Sequence, residues 1–173
     1  DVCDGVVKKL LFRHPHVFGD GHEDSPESVL VSWEQLKRRE KGQKTVSDSM
    51  DSVARSLPSL WRAEKLQKKA AAAGFEWPDV QGALDKLEEE VAELRRAVEN
   101  GGDVPDELGD VLFAAVKVGR FCGCDPEDAV NGTCEKFIHR FRAVEEGAAV
   151  RGREVSQLSL EEMTALWNEA KRS

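Results

Sequence analysis

The sequence predicts an all-α protein, an antiparallel helix bundle completed by dimerisation. Three observations carry this. Alternating β-branched runs are missing, tyrosine is absent and aromatic residues make up only 6% of the chain, so little calls for a sheet. Helix punctuation recurs along the chain as capping side chains, prolines at first-turn positions and terminal glycines. The connections between the implied helices are short, which favours antiparallel neighbours.

The elements follow in order. Residues 1–13 read as a helix that stops before Pro15, because a residue preceding proline avoids the helical region. Ser25-Pro26-Glu27 reads as an N-cap, a first-turn proline and an acidic first turn. That helix runs to about Lys41, where basic residues precede Gly42. Residues 43–56 are polar and irregular and read as a linker. A helix from about Leu60 to Ala73 ends at Gly74 and leads into a Phe75-Glu76-Trp77-Pro78 connection. The next spans about Asp79–Asn100 and stops at Gly101-Gly102. Another starts with Pro105 as its first residue and ends at Gly123. Asp125 and Pro126 cap and open a further helix that runs into the 140s. The last starts at Ser159, with Glu162 completing a capping box.

One internal repeat is visible. Asp1–Arg13 aligns with Asp128–Arg140 at an offset of 127, with Asp1/Asp128, Gly5/Gly132, Lys9/Lys136 and Arg13/Arg140 coinciding. As a true repeat, it makes the chain open with the last helix of one module and then contain a second module whole. The organisation expected is therefore 1–42 as the tail of a first module, 43–56 as linker and 57–173 as a complete helical module.

Composition narrows the function classes. Hydrophobic residues at 40% and charged residues at 34% suit a globular, water-soluble chain. No apolar run approaches the roughly 20 residues of a membrane span, and no amino-terminal stretch reads as a signal peptide. A net charge of -8 argues against a nucleic-acid groove binder, which wants a basic surface. An acidic protein still binds a small polyphosphate when a divalent metal sits between them. The four cysteines, Cys3, Cys122, Cys124 and Cys134, form no C-x-x-C, so they read as free thiols in a reducing cytoplasm.

The chemistry lies in the acids. Leu84, Leu87, Val91, Leu94 and Val98 form an apolar stripe, and Leu108, Val111, Leu112, Ala115 and Gly119 form another. Glu90 and Glu93, three apart, share one flank of the first stripe, Glu90 roughly 80° from its centre. Glu107 and Asp110, also three apart, flank the second, Glu107 roughly 100° from its centre and on the same rotational side. In a hairpin turning at Gly101-Gly102, all four carboxylates then converge beside the interface. Such a group needs a counter-charge, because like charges at contact raise one another's pKa. An all-oxygen site suits magnesium, with manganese as a substitute.

Glu90-x-x-Glu93, a 13-residue gap and Glu107-x-x-Asp110 together resemble the E-x-x-E…E-x-x-D signature of the all-α nucleoside triphosphate pyrophosphohydrolases. The flanking segments are similar to the MazG family. They include Arg13-His-Pro-His-Val-Phe18, Ser32-Trp-Glu34, Ser56-Leu-Pro-Ser-Leu60, Lys65-Leu-Gln-Lys68, Gly74-Phe-Glu-Trp77 and Glu107-Leu-Gly-Asp-Val-Leu-Phe113, then Glu135-Lys-Phe137, Arg140-Phe-Arg142 and Leu166-Trp167. The resemblance covers nearly the whole chain in order. It implies that Glu90, Glu93, Glu107 and Asp110 are magnesium ligands. It implies that Lys136 and Arg140, four apart on one helical face, contact the nucleotide phosphates, with Lys86, one turn before Glu90, as a further phosphate contact and Lys171, one turn after Trp167, as a further substrate contact. Trp167 matches a base-contacting aromatic.

Two departures stand out. Cys134 occupies the place of the family's usual Asn, and a thiol is a poorer hydrogen-bond partner than an amide. The family also carries two modules in tandem, so the chain looks like a truncated or processed piece whose carboxy-terminal module is the one credited with catalysis.

The resemblance implies magnesium-dependent hydrolysis of nucleoside triphosphates to monophosphate and pyrophosphate, cleaning the nucleotide pool. Glu89, or one of the ligand carboxylates such as Glu90 or Glu107, accepts the proton of the attacking water; the sequence does not choose. Two alternatives stay open: a narrow pyrophosphatase for dUTP, dCTP or a modified nucleotide, and a non-catalytic helical dimerisation or regulatory module. The expected partners are a triphosphate and a second copy of the chain, with no nucleic acid and no membrane.

Overall fold

Cap chemistry sets most of the helix limits. The structure, a computed structural model, describes residues 2–13, 15–18 and 42–172. The helix expected over 26–41 and the Ser32-Trp33-Glu34 segment lie outside these residues. All regular structure among the described residues is helical, as the sequence predicts. The chain divides into two compact units, Asp1–Phe121 and Cys122–Ser173.

The first unit holds α1 (Val2–Arg13), α2 (Pro15–Phe18), α3 (Val46–Asp51), α4 (Ser59–Ala71), α5 (Val80–Asn100) and α6 (Val104–Phe121). The α3 helix corrects the reading of 43–56 as irregular. Thr45 and Asp48 close a capping box: the Asp48 amide donates to Thr45 Oγ1 at 3.0 Å, and the Thr45 amide donates to the Asp48 carboxylate at 2.8 Å. The buried Ser49 hydroxyl then accepts from Lys69 Nζ of α4 at 2.6 Å. The capping box is a local signal, and a six-residue helix with so little apolar periodicity also needs the contact with α4.

The α5–α6 hairpin is the main packed pair of this unit. Asp79 caps α5 by accepting from the Gln81 and Gly82 amides, and Gly101 ends it at φ +72°, where a side chain would be strained. The α6 helix starts at Val104, one residue before the expected Pro105.

The packed seam differs from the expected stripes. Along α5 the inward line is Ala83, Leu87, Glu90, Leu94 and Ala97, and Leu84, Val91 and Val98 are exposed. Along α6, Ala114, Val116 and Lys117 are buried and Glu107, Val111 and Val118 half-buried, and Leu108 and Leu112 are exposed. Ala83, Ala97 and Ala114 are the buried small residues of the pair, and small residues let two helix axes approach closely. Glu90 and Glu107 therefore sit on the seam itself rather than on its flank.

The second unit holds α7 (Pro126–Val150), a 3-10 turn at Val155–Gln157 and α8 (Leu160–Ala170). Asp125 caps α7 as expected, accepting from Glu127 and Asp128 amides at 2.9 and 3.0 Å, and the helix continues to Val150. Val144, Ala148, Leu158 and Leu166 form its core, with Val155, Met163 and Trp167 packed on them.

The predicted capping box of α8 is present. The Glu162 amide donates to Ser159 Oγ at 3.2 Å, the Ser159 amide donates to Glu162 at 2.8 Å, and Arg153 donates to the same carboxylate at 2.7 Å. The Ser159 amide and then the Arg153 side chain hold the Glu162 carboxyl below its usual pKa. A carboxyl depressed in the fold contributes stability above its unfolded pKa, and that contribution is lost as pH falls through the folded value. Acid unfolding of Glu162→Gln is therefore expected to show a shallower loss of stability below about pH 4.5 than the parent. Equal slopes in urea titrations across that range would contradict this.

Candidate functional site

The seam of the first unit brings three of the four predicted metal ligands together. Carboxylate oxygens of Glu90, Glu93 and Glu107 all lie within 4.8 Å of one another. Glu90 is buried at 7% exposure, and Glu93 and Glu107 are half-buried. Burial, and then the charges of Glu93, Asp110, Asp106 and Glu90, push the Glu107 carboxyl above its ordinary pKa. That is the signature of acids gathered without enough positive charge. A hard, oxygen-seeking divalent cation fits such a donor set.

Asp110, the fourth predicted ligand, stands outside that trio. It is exposed and one turn further along α6, about 4.5 Å in rise from Glu107. Its line on the helix, Asp110, Ala114 and Lys117, borders a cavity that Glu90 also lines. The trio has two local cations. Lys86 Nζ donates to Glu89 at 2.9 Å and to Glu90 at 2.8 Å, bonds that raise its own pKa, and Arg96 pairs with Glu93 at 3.0 Å. Lys86 is thus held by carboxylates, and Glu89 is exposed beside it.

Glu90 also lines the neighbouring cavity, which measures about 600 Å³ and is mostly apolar. Phe75, Trp77, Leu66, Ala83 and Phe113 form its walls, and Lys86, Asp110 and Lys117 also line it. Gln67 of α4 is 2% exposed and lines it too. Its Nε2 donates to the Phe113 carbonyl at 2.8 Å, which turns Oε1 the other way; that oxygen is buried with no partner. A buried unpaired acceptor costs about 1–3 kcal/mol.

The Phe75–Pro78 connection is fixed by ionic contacts. Lys117 Nζ donates to Glu76 at 3.0 Å and sits 5.0 Å from the Trp77 ring centroid, and Arg120 pairs with the other Glu76 oxygen. Lys117 is 6% exposed, and burial lowers its pKa. Sequence reasoning missed Gln67, Glu76 and Lys117. Gln67 had one available signal: it interrupts the apolar face Leu60, Ala63, Ala70 of α4 at helical spacing.

The remaining predicted residues belong to the second unit. Lys136 and Cys134 are exposed on α7, and Lys171 is exposed just past α8. Arg140 lies over the half-buried Trp167 ring at 5.9 Å, and Phe137 meets that ring at 4.9 Å between centroids. Arg140 and Trp167 are thus brought together, one four residues after Lys136 on the same helical face.

Comparison with known proteins accords with the motif reading. Residues 79–144, which span α5, α6 and most of α7, match the MazG nucleotide pyrophosphohydrolase domain. The chain is 41% identical over 176 residues to a nucleoside triphosphate pyrophosphohydrolase of Escherichia coli (strain K12), covering 99% of this chain and 67% of that protein. It is 37% identical over 171 residues to the nucleoside triphosphate pyrophosphohydrolase/pyrophosphatase MazG of Thermotoga maritima, covering 99% of this chain and 65% of that protein. A nucleoside triphosphate pyrophosphohydrolase of Mycolicibacterium smegmatis is 33% identical over 125 residues, 69% of this chain and 37% of its own. The chain thus spans about two thirds of the length of the first two relatives. On this likeness, and with the acidic seam in the matched segment, the chain belongs to the MazG nucleotide pyrophosphohydrolase family.

Proposed function

We propose that this chain hydrolyses nucleoside triphosphates between the α and β phosphates, releasing monophosphate and pyrophosphate. The observation that carries the reading is the carboxylate trio Glu90, Glu93 and Glu107, gathered within 4.8 Å in a chain of this family. Magnesium is the cation these oxygens suit best, and Glu90, Glu93, Glu107 and Asp110 would hold it. When bound, such an ion supplies charge that offsets the phosphates and lowers the pKa of water.

The chain's own groups do the rest. Glu90, Glu93, Glu107 and Asp110 provide the negative charge and fix its position. Glu89, Glu90 or Glu107 accepts the proton of the attacking water. Lys136 and Arg140 hold phosphate oxygens, and Trp167 and Lys171 add contacts to base and phosphate. Lys86 reaches phosphate by exchanging one carboxylate partner for it. The catalytic module is 57–173, with 43–56 and 1–42 preceding it. The setting is the cytoplasm, which accords with the thiols of Cys122, Cys124 and Cys134 lying exposed outside any disulfide. The physiological role is cleaning of the nucleotide pool.

The working unit is a homodimer. The exposed Leu84, Val91 and Val98 of α5 and Leu108 and Leu112 of α6 form an apolar surface that a second copy covers. Sedimentation at micromolar concentration is expected to give a dimer; a stable folded monomer would contradict this.

The chemistry is tested by hydrolysis in water enriched in a heavy oxygen isotope. Attack at the α phosphorus puts the label in the monophosphate. Label in pyrophosphate would mean attack at the β phosphorus. Release of nucleoside diphosphate and orthophosphate would mean a γ-phosphatase and sink the proposal.

A further inference from the structure

Cys122 and Cys124 have no part in the hydrolysis, and only Gly123 separates them. They occupy the turn between α6, which ends at Phe121, and α7, which starts at Pro126. Both are exposed and both are free thiols. Three features of this turn bring the sulfurs within bonding reach. Cα atoms two residues apart are separated by at most about 7 Å in an extended chain, and a turn is shorter, so the pair meets the Cα separation of a disulfide. Gly123 has φ +67°, a left-handed bend that suits glycine, and a Cβ placed there would meet nothing within 4 Å, so the bend is open to reagents. Cys124 is folded back across the bend: its thiol donates to the Cys122 carbonyl at 3.7 Å.

Cys134 cannot stand in for either thiol. It lies well inside α7, about 12 Å of helical rise beyond Pro126, whereas a disulfide joins Cα atoms no more than about 7 Å apart. A bond from the turn to Cys134 would have to unwind the helix between them. The cysteines of the turn are therefore each other's natural partner.

We propose that Cys122 and Cys124 form a redox-active dithiol, which a peroxide closes into a disulfide across Gly123 and a small thiol reopens. One sulfur attacks the peroxide. Its S–O bond forms as the O–O bond breaks, giving a sulfenic acid and one water. The second sulfur then attacks the first; the S–S bond forms, the S–O bond breaks and a second water leaves. The two thiols together lose two protons and two electrons, and the peroxide is reduced to two waters. Reopening is thiol exchange, in which two small thiols leave as their own disulfide. The ring holds only Gly123 besides the cysteines, and strained, exposed disulfides are the easily reduced, regulatory kind. In a reducing compartment such a bond is transient. Its closure fixes the backbone of the connection joining α6, which carries Glu107 and Asp110, to α7, which carries Lys136 and Arg140.

The test is mass spectrometry after limited treatment with hydrogen peroxide, with dimedone present to trap sulfenic acid. In the parent protein the tryptic peptide Phe121–Lys136 is expected to lose two hydrogens and to regain them with dithiothreitol. Cys134→Ser is expected to leave that change in place, which assigns the bond to Cys122 and Cys124. Cys122→Ser and Cys124→Ser each remove the thiol that captures the sulfenic acid. Each is expected to raise the dimedone adduct on the remaining cysteine of the turn at least about tenfold over the parent. Should one of these variants fail to fold by circular dichroism, the other decides. A bond that involves Cys134 or a second chain would overturn the proposal. So would sulfinic acid at Cys122 or Cys124 of the parent in place of the bond, or equal dimedone adducts in parent and variants. No nucleotide enters the measurement, so its outcome is independent of the hydrolase reading.

Discussion

Glu107→Gln is expected to lower magnesium-dependent triphosphate turnover by at least about a hundredfold while leaving the helical fold intact. A bound metal contributes several kcal/mol of charge stabilisation to such a reaction, and about 1.4 kcal/mol is a factor of ten in rate. An amide supplies a dipole where the carboxylate supplied a charge, and Glu107 is the only trio member contributed by α6. The same substitution has an opposite effect on the metal-free fold. The Glu107 carboxyl is pushed up by burial and by the four neighbouring acids, so its ionised form is disfavoured in the fold. A carboxyl raised in the fold makes stability fall as pH rises from the unfolded toward the folded pKa. Glu107→Gln without metal is therefore expected to melt at the parent temperature or slightly above it near neutral pH. Steady-state kinetics with added magnesium, beside thermal melts with a chelator present, read both effects. Retained turnover would remove Glu107 from the site, and a lower melting temperature would mean that the carboxylate is needed by the fold.

Glu76→Ala is expected to cost roughly 3–5 kcal/mol of stability, the scale seen when one partner of a buried ion pair is removed. The loss is large because Glu76 serves two cations. Lys117 has a side chain 8% exposed and Arg120 one 15% exposed, and neither can turn to water easily. In the variant, Lys117 is left buried with a pKa already lowered by burial. A lysine lowered in the fold makes stability rise with pH between its folded and unfolded values, so the variant is expected to recover part of its loss as pH rises toward about 10. Adding Lys117→Met replaces the stranded charge by an apolar side chain of similar size and should restore more. Urea unfolding of the single and double variants measures this. A cost under about 1 kcal/mol would class the contact with exposed ion pairs.

The candidate site was half legible in the sequence, and the division follows residue chemistry. Glu90, Glu93, Glu107 and Asp110 stand out because two acid pairs at a spacing of three, on helices joined by a glycine turn, need no tertiary information to be noticed. What spacing could not tell is which of them meet. Ideal-helix angles put Glu90 and Glu107 on the flanks of leucine and valine stripes. In the folded hairpin Ala83, Ala97 and Ala114 are buried while Leu84, Val91, Leu108 and Leu112 are exposed, and Glu90 is buried and Glu107 half-buried. Asp110 lines the cavity that Glu90 also borders. Gln67 and Lys117 were opaque for a different reason: a lone polar residue in a helix acquires meaning only from what surrounds it, here the Phe113 carbonyl and the Glu76 carboxylate.

By itself, the sequence determined the helical class and most helix limits. Asp79, Asp125 and Ser159 cap through their own side chains and near neighbours, and Gly101 terminates through its own backbone freedom, so each signal is local. Motif order likewise placed the chain in its family, since that is a property of text. Only the tertiary structure decided that α3 is held against α4, that three carboxylates gather within 4.8 Å while Asp110 stays outside their group, and that the Gln67 amide oxygen is buried without a partner. These depend on contacts between residues far apart in the chain, whose energies come from packing volume and lost water. No window along the sequence contains that information.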